Sequence, residues 1–254
     1  MRWSERHGNG ASDWYGNDVK TQNIDPAEIA KFSERATDWW NPAGAFRTLH
    51  EINPLRLGYV AERAPLAGAR VLDVGCGGGL VSEGLARAGA EVIGVDMAEP
   101  VLAAARAHAA AAGLAIDYRC AAVEDLAAAE PGRFDAVTCF EVLEHVPNPE
   151  RTVASCAALV RPGGAVFFST INRNLKSFMM AIVGAEYVLG MLPRGTHEYA
   201  KLIRPSELAA WCRVAALDVR DVTGLHFNPL TRDYFLGGNA DVNYFAHATK
   251  AREA

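Results

Sequence analysis

From residue 70 onward, short continuous apolar runs alternate with alanine-rich stretches whose apolar positions recur at helical spacing. Continuous apolar runs are the mark of strands buried on both faces, and the alternation is that of a parallel sheet covered by helices on each side. The pattern predicts strands over 70–74, 91–95, 116–119, 134–140 and 165–170. Helices are predicted near 80–88, 99–112 and 149–160, the last stopped by Arg161-Pro162-Gly163-Gly164. The alternation is then interrupted from 172 to 204 before a helix near 205–216 and two β-like runs, 218–224 and 242–249. Ahead of this frame, Asp25, Pro26 and Glu28 form a helix start, with Asp25 as cap, Pro26 in first position and Glu28 in third. That helix runs to about residue 40, where Asn41-Pro42 breaks it, and a second is read to start around Asn53-Pro54-Leu55-Arg56. Order is expected from residue 23, so the chain divides into a flexible tail, 1–22, and one α/β domain, 23–254, with an insertion at about 172–204.

Composition leaves this reading in place and narrows the chemistry. Half of the 254 residues are hydrophobic and 22% are charged, as in a globular domain of the α/β class. The 25 Lys and Arg against 30 Asp and Glu give a charge of -5, which lacks the basic excess that binding a phosphate backbone requires, so no nucleic-acid partner is expected. Five scattered cysteines without a C-x-x-C pair indicate neither a disulfide framework nor a structural zinc site and fit a reducing cytosol. The first 20 residues hold no apolar core for a signal peptide, and Glu5, Asp13 and Asp18 are unlike a mitochondrial leader. The apolar run 178–193 contains Glu186 and two glycines and falls short of the roughly 20 residues that cross a bilayer.

The chemistry concentrates in the turn after the first strand. Asp73-Val74-Gly75-Cys76-Gly77-Gly78-Gly79 joins that strand to a helix, where glycine allows a tight bend and the close approach of a ligand. A dinucleotide fingerprint would need a third glycine at position 80, which is Leu80, so the spacing speaks against a nicotinamide cofactor. Asp96 closes the second strand about 20 residues after the loop, where a carboxylate can accept hydrogen bonds from both ribose hydroxyls of an adenosine ligand. A cap on the following helix is the alternative role for Asp96, and one carboxylate can serve both.

This loop, Val92-Ile93-Gly94-Val95-Asp96, Phe134-Asp135-Ala136-Val137-Thr138-Cys139-Phe140 and Arg161-Pro162-Gly163-Gly164-Ala165-Val166-Phe167-Phe168-Ser169-Thr170 together resemble the class I S-adenosylmethionine-dependent methyltransferases. Further segments, Ile52-Asn53-Pro54-Leu55-Arg56-Leu57-Gly58-Tyr59, Glu141-Val142-Leu143-Glu144-His145-Val146, Asn172-Arg173-Asn174 and Gly224-Leu225-His226-Phe227-Asn228-Pro229, resemble the ubiquinone-biosynthesis O-methyltransferase family over residues 23–250. The resemblance implies a mostly parallel, seven-stranded Rossmann-like sheet with the last strand antiparallel. It implies methyl transfer from S-adenosylmethionine to a phenolic oxygen of a polyprenylated ring, on 2-polyprenyl-6-hydroxyphenol and 3-demethylubiquinol. The cofactor contacts it implies are Arg56, Gly75, Asp96 and Phe140, the last by shape or backbone, since methionine is expected there. Cys76, Gly77 and Met97 beside these positions complete the cofactor set, with Asp73 orienting the loop or facing the sulfonium electrostatically, and Glu124 near the adenine or, alternatively, at the start of a solvated helix. Arg56 can pair with the cofactor's carboxylate, its alternative being a surface salt bridge.

Glu141, Glu144 and His145 stand at i, i+3 and i+4, so a helical segment would put them on one face. Three such ligands can hold a divalent ion that lowers the pKa of a phenol and supplies the attacking phenolate. The resemblance favours Mg²⁺, although a histidine ligand points toward Zn²⁺, Mn²⁺ or Fe²⁺. The alternative is a turn in which His145 is the base or merely packs. His197 and His226 are further pocket histidines to consider.

The insertion is apolar between Lys176 and Arg194, which suits a segment lying in a membrane interface, with a buried lid as the alternative. A polyprenyl substrate joins the two readings in a lid that dips into the bilayer, and places the protein in the cytoplasm at the inner face of the membrane. A ubiquinone-biosynthesis protein complex is a further expected partner. The rival functions are another small-molecule or C-methyltransferase of the same fold, an NAD-dependent oxidoreductase and a non-enzymatic nucleotide-binding module.

Overall fold

The protein is described by a computed structural model covering residues 23–174, 177 and 199–252. The tail 1–22 and residues 175–176 and 178–198 of the insertion, with the expectations placed on them, lie outside the described residues.

Strand β1 (Arg70–Val74) has four buried side chains in a row, because it lies between β2 (Glu91–Asp96) and β4 (Phe134–Phe140), to both of which it pairs in parallel. β3 (Asp117–Cys120) extends the sheet beyond β2, and β5 (Val160–Ile171) extends it beyond β4. β8 (Asn243–Lys250) then pairs antiparallel to β5, β6 (Leu217–Asn228) antiparallel to β8, and β7 (Asp233–Leu236) antiparallel to β6. The sheet therefore has eight strands in the order β3-β2-β1-β4-β5-β8-β6-β7. The expected seven become eight because the sequence after Asn228 folds back as a hairpin: Arg232 takes a left-handed φ of 62° and its amide donates to the Asn228 carbonyl at 2.7 Å. A four-residue edge strand of mixed polarity carries little periodicity, so the alternation alone does not reveal it.

Neighbouring residues of one strand feed opposite cores, as the period of two demands. On one face Leu72, Val137 and Phe168 pack with α5 (Val123–Ala129), α6 (Pro149–Leu159) and α7 (Pro205–Val214). On the other, Val71, Ala136 and Phe167 pack with α2 (Arg47–Ala61) and α3 (Leu80–Arg87). α4 (Glu99–Ala111) buries Leu102, Ala105 and Ala109 against Tyr118 of β3 and Cys76 of the glycine turn.

The N-terminal helices differ from their sequence reading in extent. Asp25 does cap α1 (Pro26–Ser33), its carboxylate accepting from the Ala27 amide at 3.0 Å, but α1 ends at Ser33 and a short 3-10 turn, Ala36–Asp38, follows. α2 starts at Arg47, so Pro54 lies inside it and does not begin it. The amide that Pro54 lacks costs that helix one bond, while the Asn53 side chain donates to the Leu80 carbonyl at 3.0 Å and ties α2 to the start of α3. Among the described residues no helix is long and apolar enough to cross a membrane.

Candidate active site

The carboxyl ends of β1, β2 and β4 open into a cavity of about 530 Å³, at the point where the strand order reverses and an open α/β sheet forms its crevice. The glycine turn makes the floor. Gly75 and Gly77 have φ of 65° and 53°, and a side chain at either would meet a neighbour: a Cβ on Gly75 would lie 2.3 Å from Val142 Cγ2, one on Gly77 2.2 Å from the Trp39 ring. Only glycine satisfies both the backbone and the packing there.

Asp96 ends β2 with both carboxylate oxygens engaged from the protein side, Oδ2 accepting from the Gly77 amide at 3.0 Å and Oδ1 from the Ala98 amide at 2.8 Å. Burial pushes its pKa up. The helix-cap reading is not realised, because α4 begins at Glu99 with Ala98 as its cap residue and no side-chain cap bond. The two amide bonds tie the glycine turn and the approach to α4 to the end of β2, and each oxygen keeps acceptor capacity beyond them in a residue that lines the cavity. Cys76, Met97 and Glu124 also line the cavity. Cys76 is a buried thiol whose pKa burial raises well above the ordinary value, and Glu124 accepts from the Asn23 side chain at 2.9 Å.

Arg56 is not a surface residue: it is 3% exposed, held on α2 with its guanidinium 5.7 Å over the Phe140 ring. Its Nη2 lies 3.8 Å from Glu141 Oε1, and its Nε and Nη2 have no hydrogen-bond partner. Buried donors without an acceptor are costly, and a carboxylate is the acceptor whose fork matches them. Asp73, also buried, accepts from Ser82 Oγ at 2.6 Å and Thr138 Oγ1 at 2.8 Å, and burial brings its pKa to about 6 despite both bonds.

The Glu141, Glu144 and His145 constellation is not a helical face. Glu141 has a left-handed φ of 55°, and only Leu143–His145 form a 3-10 turn, so the three side chains diverge. Glu141 accepts from Ser169 Oγ at 2.7 Å, Glu144 from Thr170 Oγ1 at 2.8 Å, and His145 Nδ1 lies 3.0 Å from Glu28 Oε2 on α1. The one-face helical reading fails because β4 runs directly into the left-handed Glu141, which separates it from the short 3-10 turn that carries Glu144 and His145. Among the described residues no group of three His, Cys, Asp or Glu side chains converges closely enough to hold an ion in this conformation. Two features nonetheless suit a cation at the acidic pair. Glu144 Oε1 is buried without a partner, and burial, with the nearby Glu141 charge second, raises the Glu144 pKa to about 7.

Burial works against a charged His145, but the bond to Glu28 and the charges of Glu144 and Glu141 outweigh it and raise its pKa. Glu28 is drawn down to about 2, first by its hydrogen bond to His145. Glu28, Asn23 and Trp39 are site residues that the spacing of motifs did not single out as such. α1 and the Trp39 and Phe46 pair, whose rings lie 4.0 Å apart, line the cavity beside the glycine turn. The only signal for them was aromatic density before the first strand. The lining also holds an apolar group, Ile52, Leu225, Phe227 and Tyr234. His226 stands there with Nε2 2.7 Å from the Gly237 carbonyl, which fixes that nitrogen as the donor. His197 lies outside the described residues.

The raised Glu144 pKa sets a stability expectation. A carboxyl whose folded pKa exceeds its ordinary 4.5 destabilises the fold as pH rises from there to about 7, and the penalty is complete above that. Glu144→Gln keeps an acceptor for Thr170 and removes the charge. The cofactor-free variant is expected to melt several degrees above the parent at pH 8, with the gap closing below about pH 4.5, as calorimetric melts across pH will show.

A family model described as a methyltransferase domain matches residues 72–168. Over 232 residues the chain is 60% identical to the ubiquinone biosynthesis O-methyltransferase of Paracidovorax citrulli (strain AAC00-1), covering 91% of this chain and 98% of that one. It is 56% identical over 228 residues to the protein of the same name from Azoarcus sp. (strain BH72), at 90% and 98% coverage. Among solved structures, magnesium protoporphyrin IX methyltransferase from Synechocystis PCC 6803 with bound SAH shares the fold at a TM-score of 0.64 and 18% identity, over 87% of this chain and 95% of that one.

Proposed function

The chain belongs to the ubiquinone biosynthesis O-methyltransferase family and takes its methyl group from S-adenosylmethionine, and from that premise we propose how its residues divide the work and which rings it methylates. The acceptors are the phenolic oxygens of polyprenylated rings, 2-polyprenyl-6-hydroxyphenol and 3-demethylubiquinol. The observation that carries this is one cavity lined both by Asp96, the glycine turn and Arg56 and by the apolar side chains of Ile52, Leu225, Phe227 and Tyr234. An amphiphilic cofactor and an apolar ring with a tail need such an arrangement in one continuous space.

Asp96 takes the ribose hydroxyls, Met97 and the side of Glu124 flank the adenine, and the turn through Gly75, Cys76 and Gly77 lets the methionine portion approach the backbone closely. Arg56 pairs with its carboxylate, and Phe140 contributes shape beneath it. The phenolic oxygen attacks the methyl carbon in line as the carbon–sulfur bond breaks, the sulfonium becoming a neutral thioether. Alignment at near-attack distance is the main contribution of the protein. The phenol proton leaves toward Glu141, Glu144 or His145, the titratable groups beside the cofactor floor. A divalent ion, Mg²⁺ by family, would be held by Glu141, Glu144 and His145 only once their side chains turn from Ser169, Thr170 and Glu28 toward one another, and it would supply Lewis acidity at adjacent ring oxygens.

The test is incubation with S-adenosylmethionine and a short-chain demethylubiquinol, followed by mass spectrometry. Gain of one methyl on oxygen is expected. Cofactor binding with no methylation of this ring or of the hydroxyphenol would remove the acceptor assignment, and full turnover after exhaustive EDTA treatment would remove the ion.

The insertion between Lys176 and Arg194 is the proposed contact with the cytoplasmic face of the membrane, where the lipid substrate lies and where partner proteins of the same synthesis would gather. Apolar area buried at the interface stabilises the contact by about 25 cal/mol per Å². Flotation with liposomes is expected to persist partly at high salt and to be lost in Ile182→Asp/Leu189→Asp, with S-adenosylmethionine binding intact. Unchanged flotation of the double variant would assign the segment to a lid.

A further inference from the structure

We propose that Glu28 is a positioning residue for methyl transfer, holding His145 in one tautomer and only when the N-terminal helix is docked over the cofactor. The inference rests on the reading that His145 faces the reacting oxygen.

Glu28 sits in the first turn of α1, and its side chain is 8% exposed. Oε2 lies 3.0 Å from His145 Nδ1, a partner 117 positions away in sequence. Oε1 receives Lys31 Nζ at 3.0 Å and Lys201 Nζ at 3.4 Å, and Lys201 reaches Asp25 Oδ2 at 3.4 Å as well. One carboxylate thus joins three parts of the chain: the helix that covers the cavity, the stretch that returns from the insertion, and the turn after β4. The Phe32 ring, one helical turn further along α1, meets the His145 ring edge-on at 5.3 Å and 88°, so the imidazole is fixed in orientation by the same helix that bonds it.

An ionised carboxylate only accepts, so Nδ1 must carry a proton, and in the neutral ring the lone pair is then on Nε2. The arrangement is the carboxylate-to-imidazole pairing that sets tautomer and orientation in general-base and metal-ligand histidines alike. What distinguishes this one is that the carboxylate arrives on a separate element. The docked α1 thus supplies the cover of the cavity and the partner that orients His145 together.

The experiment compares Glu28→Ala, His145→Ala and the double variant for kcat and for S-adenosylmethionine affinity, with Glu28→Gln as a variant that keeps an acceptor oxygen in a similar side chain. Glu28→Ala is expected to lower kcat by about 10- to 100-fold and to cost little more in the His145→Ala background, since coupled residues are not additive. Glu28→Gln should recover part of the loss. In ¹⁵N spectra of histidine-labelled protein, Glu28→Ala should shift the His145 ring nitrogens from a single protonated Nδ1 toward a mixture of tautomers. An equal loss of kcat in both backgrounds, or an unchanged His145 spectrum, would overturn the role of Glu28 and leave it a structural anchor of α1. Parent-like turnover in His145→Ala alone would instead overturn the assignment of His145 to the reacting oxygen, and the catalytic role of Glu28 with it.

Discussion

Arg56→Met is expected to weaken S-adenosylmethionine binding by about 100-fold or more while the cofactor-free protein stays folded. The size follows from burial. Arg56 is 3% exposed and holds two donor nitrogens without partners, and it lines the cavity, so a carboxylate placed there gains bonds that the cofactor-free protein does not make. Removing one member of a buried, hydrogen-bonded charge pair costs about 2–5 kcal/mol, and each 1.4 kcal/mol is about a tenfold change in affinity. Arg56→Lys should restore only part of this, because an ammonium cannot present the two-pronged geometry that a carboxylate accepts. Titration calorimetry measures both variants directly.

The same substitution tests a competing role. Glu141, Asp73 and Glu144 all bear on Arg56 electrostatically, while its own burial disfavours its charge. If the guanidinium served chiefly as a countercharge, Arg56→Met would leave cofactor affinity within a few-fold of the parent and lower the melting temperature sharply above pH 7, where Asp73 and Glu144 must ionise without it. Affinity and melting temperature therefore move in separable ways for the two roles, and only the loss of affinity supports the carboxylate contact.

The parts of the fold that were legible in the sequence are those governed by burial on both faces. β1, β2, β4 and β5 are central strands of a parallel sheet, and central strands must be apolar throughout, so Val71-Leu72-Asp73-Val74 and Ala165-Val166-Phe167-Phe168 announce themselves. Asp73 is the exception within such a run, and it stands where the chain enters the glycine turn. The glycine turn and Asp96 were legible for the same kind of reason: their spacing is imposed by a strand, a turn and the next strand, all regular elements.

What was not legible depends on contacts between distant segments. The carboxylate that engages His145 comes from α1, and no local spacing relates positions 28 and 145. Trp39 packs on Gly77, and the reason appears only when the 3-10 turn is brought over the loop. Pro54 inside α2 reads as a start, because a proline at the first turn and one in mid-helix look alike until the preceding residues are seen to be helical. The Glu-x-x-Glu-His spacing misleads in the opposite sense: its period is helical, but Glu141 adopts φ of 55°, and a single left-handed residue is enough to send the neighbours to different partners. Periodicity reports a face only where backbone regularity holds.

Asp96→Ala is the second substitution with a large expected effect, and a serine variant makes it decisive. The carboxylate holds the Gly77 amide at 3.0 Å and the Ala98 amide at 2.8 Å, so it anchors the glycine turn and the residue before α4 to the end of β2. If this were all it did, Asp96→Ser would do most of the same work, because a serine oxygen accepts from the amide two residues on nearly as well as aspartate does. If Asp96 also accepts from the two ribose hydroxyls, neither alanine nor serine can replace it, since those hydrogen bonds go to a charged acceptor and contribute about 1.5–3 kcal/mol each. Alanine is expected to weaken S-adenosylmethionine binding by at least about 100-fold. Serine is expected to recover thermal stability but not affinity. Calorimetry and thermal melts on both variants separate the roles: affinity regained in Asp96→Ser would reduce Asp96 to a structural anchor and move ribose recognition to another group of the cavity wall, whereas stability regained without affinity leaves the ribose with Asp96.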